Sequence, residues 1–71
     1  MGELNKKVSI IMPVYNASGT IRDAVDSVLR QTYQNYELII IEDCSKDDSL
    51  SIVRSYEQAD SRIRVIENPE N

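Results

Sequence analysis

Apolar and polar positions along the chain fall into five blocks that switch between two periods. Val8 to Pro13 reads Val-Ser-Ile-Ile-Met-Pro, a short β-branched run closed by a proline that cannot continue a hydrogen-bond ladder, and it predicts a first strand. After the loop Val14 to Gly19, apolar residues recur at Ile21, Ala24, Val25, Val28 and Leu29, which is one face of a helix with a period of about 3.6 residues. Ser18 or Thr20 can cap its start. Arg22 and Asp26 fall on the opposite, solvated face, and Arg30 is expected in the last turn, where a cation suits the negative end of the helix dipole.

The next block, Tyr36 to Asp43, centres on Leu38-Ile39-Ile40-Ile41 and is too continuously apolar for a strand with one wet face. It predicts a second strand with both sides covered. Ser45, followed three residues later by Asp48, has the form of a capping box, and Leu50, Val53 and Tyr56 mark a second helical stripe behind it. Arg62 to Glu67 alternates as a third strand, and Asn68-Pro69-Glu70-Asn71 is turn chemistry.

Strand, helix, strand, helix, strand with short links implies two right-handed crossovers and a parallel α/β sheet, Rossmann-like, in strand order 3-2-1. Both helices then lie on one face of the sheet. The other face is covered by none of these residues, although strands 1 and 2 carry apolar side chains on both sides and parallel sheets are normally buried on both. The expectation is a single unit over residues 1–71 that forms the N-terminal part of a larger domain, with the open face covered by further chain, a partner or a second copy.

Composition narrows the chemistry. At 71 residues the chain is below the usual domain size of roughly 100 to 150. Its single cysteine, Cys44, cannot form an internal disulfide, and the absence of histidine removes the usual helper of a structural zinc site. The net charge of −4 and scattered Lys and Arg argue against nucleic acid as a partner. An anionic ligand would need local backbone N–H groups, a helix N-terminus or a divalent cation. Met1 to Lys7 is polar, with no apolar signal core, and no apolar run approaches the roughly 20 residues of a membrane span, so the expected location is cytoplasmic.

In open α/β sheets ligands bind beyond the carboxyl ends of the strands. Val14-Tyr15-Asn16 leaves strand 1 there, and Glu42-Asp43 ends strand 2, so Tyr15 and Asp43 are expected at one edge. The Tyr15 ring offers a stacking surface and Asp43 a fixed acceptor for a ring N–H or ribose hydroxyls, which suits a nucleoside. Each residue also has a plain structural use: Pro-Val-Tyr-Asn as a strand-to-helix turn, and Asp43 as an acid near a helix N-terminus. Asp47 and Asp48, in the first turn of the second helix, read as capping and dipole residues rather than metal ligands. Cys44 has no histidine to activate it and reads as a small loop residue.

Three segments in this order and spacing, Val8–Asn16, Ser27–Asp43 and Ser45–Ser49, resemble glycosyltransferase family 2, and the resemblance extends over Val8 to Asn68. It implies an incomplete GT-A fold and the transfer of a sugar from a nucleotide-diphospho-sugar, usually UDP-linked, to a sugar or lipid-linked acceptor. It also implies that Pro13, Val14, Tyr15 and Asn16 line the base and ribose site and that Asp43 bonds to the base. The family's Asp-x-Asp motif for Mg²⁺ or Mn²⁺ and its catalytic base have no counterpart in the sequence and are expected beyond Asn71, so catalytic and metal residues are expected outside this chain and the segment alone is expected to be inactive. Cys44 replaces the small residue, often glycine, that commonly follows the acid. By analogy the family works in bacterial surface polysaccharide assembly, at the inner face of the membrane.

Two other classes remain open on the residues alone. A dinucleotide oxidoreductase is weakened by the loop after strand 1, which holds only Gly19 where G-x-G-x-x-G would be needed. A binding or assembly module would use the open sheet face to associate with a partner or with itself, without catalysis.

Overall fold

A computed structural model describes residues 6–69 of the chain. The elements run β1 (Val8–Val14), α1 (Ile21–Leu29), β2 (Tyr36–Asp43), α2 (Ser49–Ala59) and β3 (Ile63–Asn68). The strands form one parallel sheet in the order β1-β2-β3, which is the expected 3-2-1 order read from the other edge. Of the polar leader Met1 to Lys7, residues 1–5 lie outside the described residues, as do Glu70 and Asn71 of the turn expected at the other end.

β1 runs one residue past Pro13, where a stop was expected. The Val8 N–H bonds to the Asn35 carbonyl, so by alternation the even-numbered residues of β1 face β2 and the nitrogen of Pro13 lies on the strand's outer edge. No ladder hydrogen bond is lost there, which is how a proline is tolerated in an edge strand. β3 is shifted by one residue at each end from the expected Arg62 to Glu67.

The sheet is covered on one face. Along β2, Tyr36, Leu38, Ile40 and Glu42 are buried while Glu37, Ile39, Ile41 and Asp43 are only partly covered, a strict alternation. Tyr36, Leu38 and Ile40 pack with Val14 of β1, Val25 of α1, Val53 of α2 and Ile63 of β3 in one core. Continuous hydrophobicity in β2 therefore reflects two apolar faces, of which α1 and α2 cover one.

On the opposite face, the register aligns Ile11, Ile39 and Arg64 in one row and Pro13, Ile41 and Ile66 in the next. Ile11 is 55% exposed and Ile66 47%. A third row is polar, with the Ser9 hydroxyl donating to Glu37 at 2.6 Å.

Four local expectations are corrected. Asp26 is not on a solvated face: its Oδ1 accepts from the Tyr56 hydroxyl at 2.8 Å, because α2 packs beside α1. That bond, with burial second, pushes the Tyr56 phenol up. Arg30 is the C-cap residue, just past the last turn of α1. The capping box does not form, since α2 begins at Ser49 with Asp48 as its N-cap residue and no side-chain bond from it, and Ser45 is used elsewhere. Neither of the residues proposed to cap α1 does so, as the Thr20 hydroxyl turns to the Ala17 carbonyl at 3.5 Å.

At the amino end of the sheet the Arg62 guanidinium stacks over the Tyr36 ring at 4.5 Å and bonds to Asp60 at 2.7 Å. That bond holds the Asp60 carboxyl below its ordinary range. No helix among the described residues is long and apolar enough to cross a membrane.

Candidate functional site

The carboxyl end of the sheet carries two loops, residues 15–20 after β1 and residues 44–48 after β2. Val14 and Glu42 are register partners, so both loops leave from the same level. Tyr15, 49% exposed, leads the first loop, and Asp43 ends β2 one residue beyond Glu42. The sequence-predicted pair is thus carried to one edge by adjacent parallel strands.

The predicted residues differ in what they present. Tyr15 offers an exposed ring, and Pro13 lies exposed on the open face. Val14 is 2% exposed, its side chain sunk in the core, so its backbone is what remains to line a site. Asp43 accepts at Oδ1 from the Asn68 side-chain amide at 2.8 Å, which ties it to the end of β3.

Asn16 has φ 48°, the left-handed region that asparagine tolerates better than most residues. Its Oδ1 accepts from the Lys46 N–H at 2.7 Å. Cys44 has φ 56°, in the same region but without asparagine's tolerance. This explains physically why a glycine would suit the position after the acid.

Sequence reasoning missed how the two loops are joined. Three successive backbone donors of the first loop are taken by side chains of the second loop and of the first residue of α2: Asn16 N–H by Ser45 Oγ at 2.9 Å, Ala17 N–H by Ser49 Oγ at 2.8 Å and Ser18 N–H by Asp47 Oδ2 at 3.1 Å. Asp47 Oδ1 also accepts from the Ser49 N–H at 2.9 Å, so one carboxylate holds the start of α2 and the neighbouring loop together. These bonds, those with Ser49 foremost, lower the Asp47 carboxyl from 3.8 to about 2. Buried Glu42 supports the same loop, its Oε1 accepting from the Ser45 N–H at 2.7 Å. The legible part of this signal was Asp47 near a helix start; its cross-loop partner is a tertiary contact invisible to spacing.

Among the described residues no three His, Cys, Asp or Glu side chains gather to hold a metal ion. Both Asp47 oxygens are engaged by N–H donors, and the residues present do not fit a metal centre. At this edge the chain presents an exposed aromatic ring, Tyr15, and a carboxylate, Asp43, whose Oδ1 is already bonded to Asn68.

Compared with known proteins, residues 9–71 match the family model Glycosyl transferase family 2. The chain belongs to glycosyl transferase family 2. Among its relatives, TuaG of Bacillus subtilis (strain 168), named for a glycosyltransferase of teichuronic acid biosynthesis, is 47% identical over 90% of this chain and 25% of its own length. The Escherichia coli protein UDP-Glc:alpha-D-GlcNAc-diphosphoundecaprenol beta-1,3-glucosyltransferase WfgD is 48% identical over 86% of this chain and 23% of its own.

The mannosyltransferase PcManGT from Pyrobaculum calidifontis, solved in complex with GDP-Man and Mn2+, superposes with a TM-score of 0.80 and 25% identity over 90% of this chain and 20% of that one. The chain therefore spans about a quarter of the length of these two curated relatives, and its fold is a Rossmann-like GT-A segment. Family membership removes the dinucleotide oxidoreductase from consideration.

Proposed function

We propose that this chain forms the nucleotide-binding segment of an enzyme that transfers a sugar from a UDP-linked donor to a sugar or lipid-linked acceptor. The observation that carries the reading is the pairing of exposed Tyr15 with Asp43 at the carboxyl edge of two adjacent parallel strands, in a chain of this family. Tyr15 stacks on the base, Asp43 accepts from a ring N–H, and Pro13, Val14 and Asn16 line the base and ribose. Uridine is favoured over guanosine by analogy with the UDP-Glc named for WfgD, whereas the GDP-Man of PcManGT belongs to that enzyme. A divalent cation, Mg²⁺ or Mn²⁺, would meet the donor diphosphate on residues other than those described, and the acceptor hydroxyl would need a base from outside them too. The segment alone transfers no sugar. The enzyme works in polysaccharide assembly in the cytoplasm, at the inner face of the membrane.

The test is a titration of the ¹⁵N-labelled chain with UDP and GDP, with and without Mg²⁺, followed through its amide resonances. UDP should move the signals of residues 14–16 and 43–45, and GDP should do so more weakly. Stronger binding of GDP would overturn the uridine assignment, and a folded chain indifferent to both would overturn the nucleotide reading.

The bare face with Ile11, Ile39, Ile41 and Ile66 favours a second reading, self-association through the sheet. A monomer by light scattering across concentration would rule it out.

A further inference from the structure

The nucleotide reading leaves Asp47, Ser45 and Ser49 without a task, yet the densest polar contacts at the site edge run through them. Residues 16–18 point three consecutive N–H groups at the second loop and the start of α2, and each finds a side-chain oxygen there. Asn16 closes the arrangement in the reverse direction by accepting from Lys46 N–H. Bonds in both directions fix the separation and the rotation of the two loops, since sliding either one breaks donors on both. Ser49 is fully buried under the first loop, so its hydroxyl has no water to replace a lost partner.

We propose that Asp47, with the Oδ1 atom of Asn16, is a positioning residue: it locks the loop that carries Tyr15 onto the loop that follows Asp43, so that the base site stands preformed before any nucleotide arrives. This rests on the nucleotide reading for its purpose, but the lock itself is a property of the chain alone. Asp47 suits the task because a carboxylate presents two acceptors and here serves one N–H from each side, Ser18 and Ser49. Those bonds lower its carboxyl from 3.8 to about 2, so both acceptors stay charged into moderately acidic solution.

A second consequence concerns phosphate. Consecutive N–H groups at a strand-to-helix junction make the usual anion cradle of nucleotide-binding α/β folds. Here those donors are already taken, one of them by an internal carboxylate. The first loop therefore contributes to the nucleoside and is closed to the diphosphate.

Asp47→Asn keeps the shape but can offer an oxygen to only one of the two donors. Asn16→Gly keeps the left-handed backbone and removes the acceptor, whereas Asn16→Asp restores an acceptor. Asp48→Asn removes a neighbouring charge that makes no side-chain cap bond. Amide hydrogen exchange at residues 16–18 reads the lock, and titration with uridine and UDP reads its purpose.

In the parent chain those amides should be protected without nucleotide, and uridine and UDP should bind within about threefold of each other, because the loop gives the phosphates nothing. Asp47→Asn and Asn16→Gly should lose the protection and weaken both ligands about tenfold while the rest of the spectrum stays dispersed, the scale of one charge-assisted hydrogen bond. Asn16→Asp should recover most of the loss, and Asp48→Asn should match the parent.

Unprotected amides in the parent, or a parent spectrum without dispersion, would overturn the lock. Unchanged affinity in folded Asp47→Asn would overturn its role in positioning. Protected amides with no response to either ligand would leave the lock standing and remove the nucleotide reading, together with the purpose assigned to the lock.

Discussion

Both faces of the sheet carry branched apolar side chains, and the two sets have opposite surroundings. On the helix side Leu38, Ile40 and Val53 are fully buried, and on the other side Ile39 and Ile41 are half covered while Ile11 and Ile66 stand in the open. The difference lies in which neighbours the chain supplies, since α1 and α2 both pack into the one core on the same side of the sheet, as two crossovers of the usual right hand require. An isoleucine in this sheet is thus stabilising only where α1 or α2 reaches it, and an apolar run in sequence states a need for cover without naming its source.

The largest effect should come from breaking the covered side. Ile40→Ala removes buried methyl groups from the centre of the core and should cost about 2 to 5 kcal/mol, enough to unfold a chain of this size, as read from the urea midpoint. Ile11→Ala, by contrast, should cost less than about 1 kcal/mol while its side chain is half in water. A cost for Ile11→Ala as large as that for Ile40→Ala would mean that the bare face is buried in solution, and would support the self-associating reading.

A smaller change sharpens the picture of the covered side. The Tyr36 hydroxyl is buried there with no hydrogen-bond partner among the described residues. Tyr36→Phe should therefore raise stability by about 1 kcal/mol, seen as a higher melting temperature, since an unmatched buried hydroxyl costs about that or more.

Between the faces, at the loop that leads from β2 to α2, Cys44→Gly should stabilise by about 1 kcal/mol by removing a side chain from a left-handed backbone. The smallest effect is electrostatic. Because the Asp47 carboxyl is lowered in the folded chain, its contribution to stability is complete above the ordinary value of 3.8 and fades as pH falls through about 2. Acid titration of the parent and of Asp47→Asn should diverge above that window and converge below it.

The elements themselves were legible because each is announced by a change of hydrophobic period: all five elements, the parallel topology and the single-sided helices follow from pattern and handedness. The edge that carries Tyr15 and Asp43 was legible for the same reason, since strand direction alone sends both there. What could not be read was how side chains are spent once the loops meet. Ser45 and Asp48 have the spacing of a capping box, yet Ser45 faces a loop some thirty residues earlier in the chain, and Asp47 takes the first N–H of α2. Asp26 looked solvated for a similar reason, as a helical wheel does not know that a second helix will place Tyr56 against it. Local rules rank the partners within reach along the chain and are silent about those that folding brings near.

One contact on β3 has a bearing on how the sheet can grow. Glu57 of α2 reaches over the outer strand and accepts the Val65 N–H at 2.8 Å, a bond that with the nearby Arg54 holds its carboxyl low. A strand approaching from that side would have to evict a charged side chain before it could form its own ladder, whereas the outer rim of β1 presents the N–H groups of Ser9 and Ile11 up to Pro13. The two edges of the sheet are thus unequal: Glu57 blunts the rim of β3, while the rim of β1 keeps the backbone groups that a further strand would need.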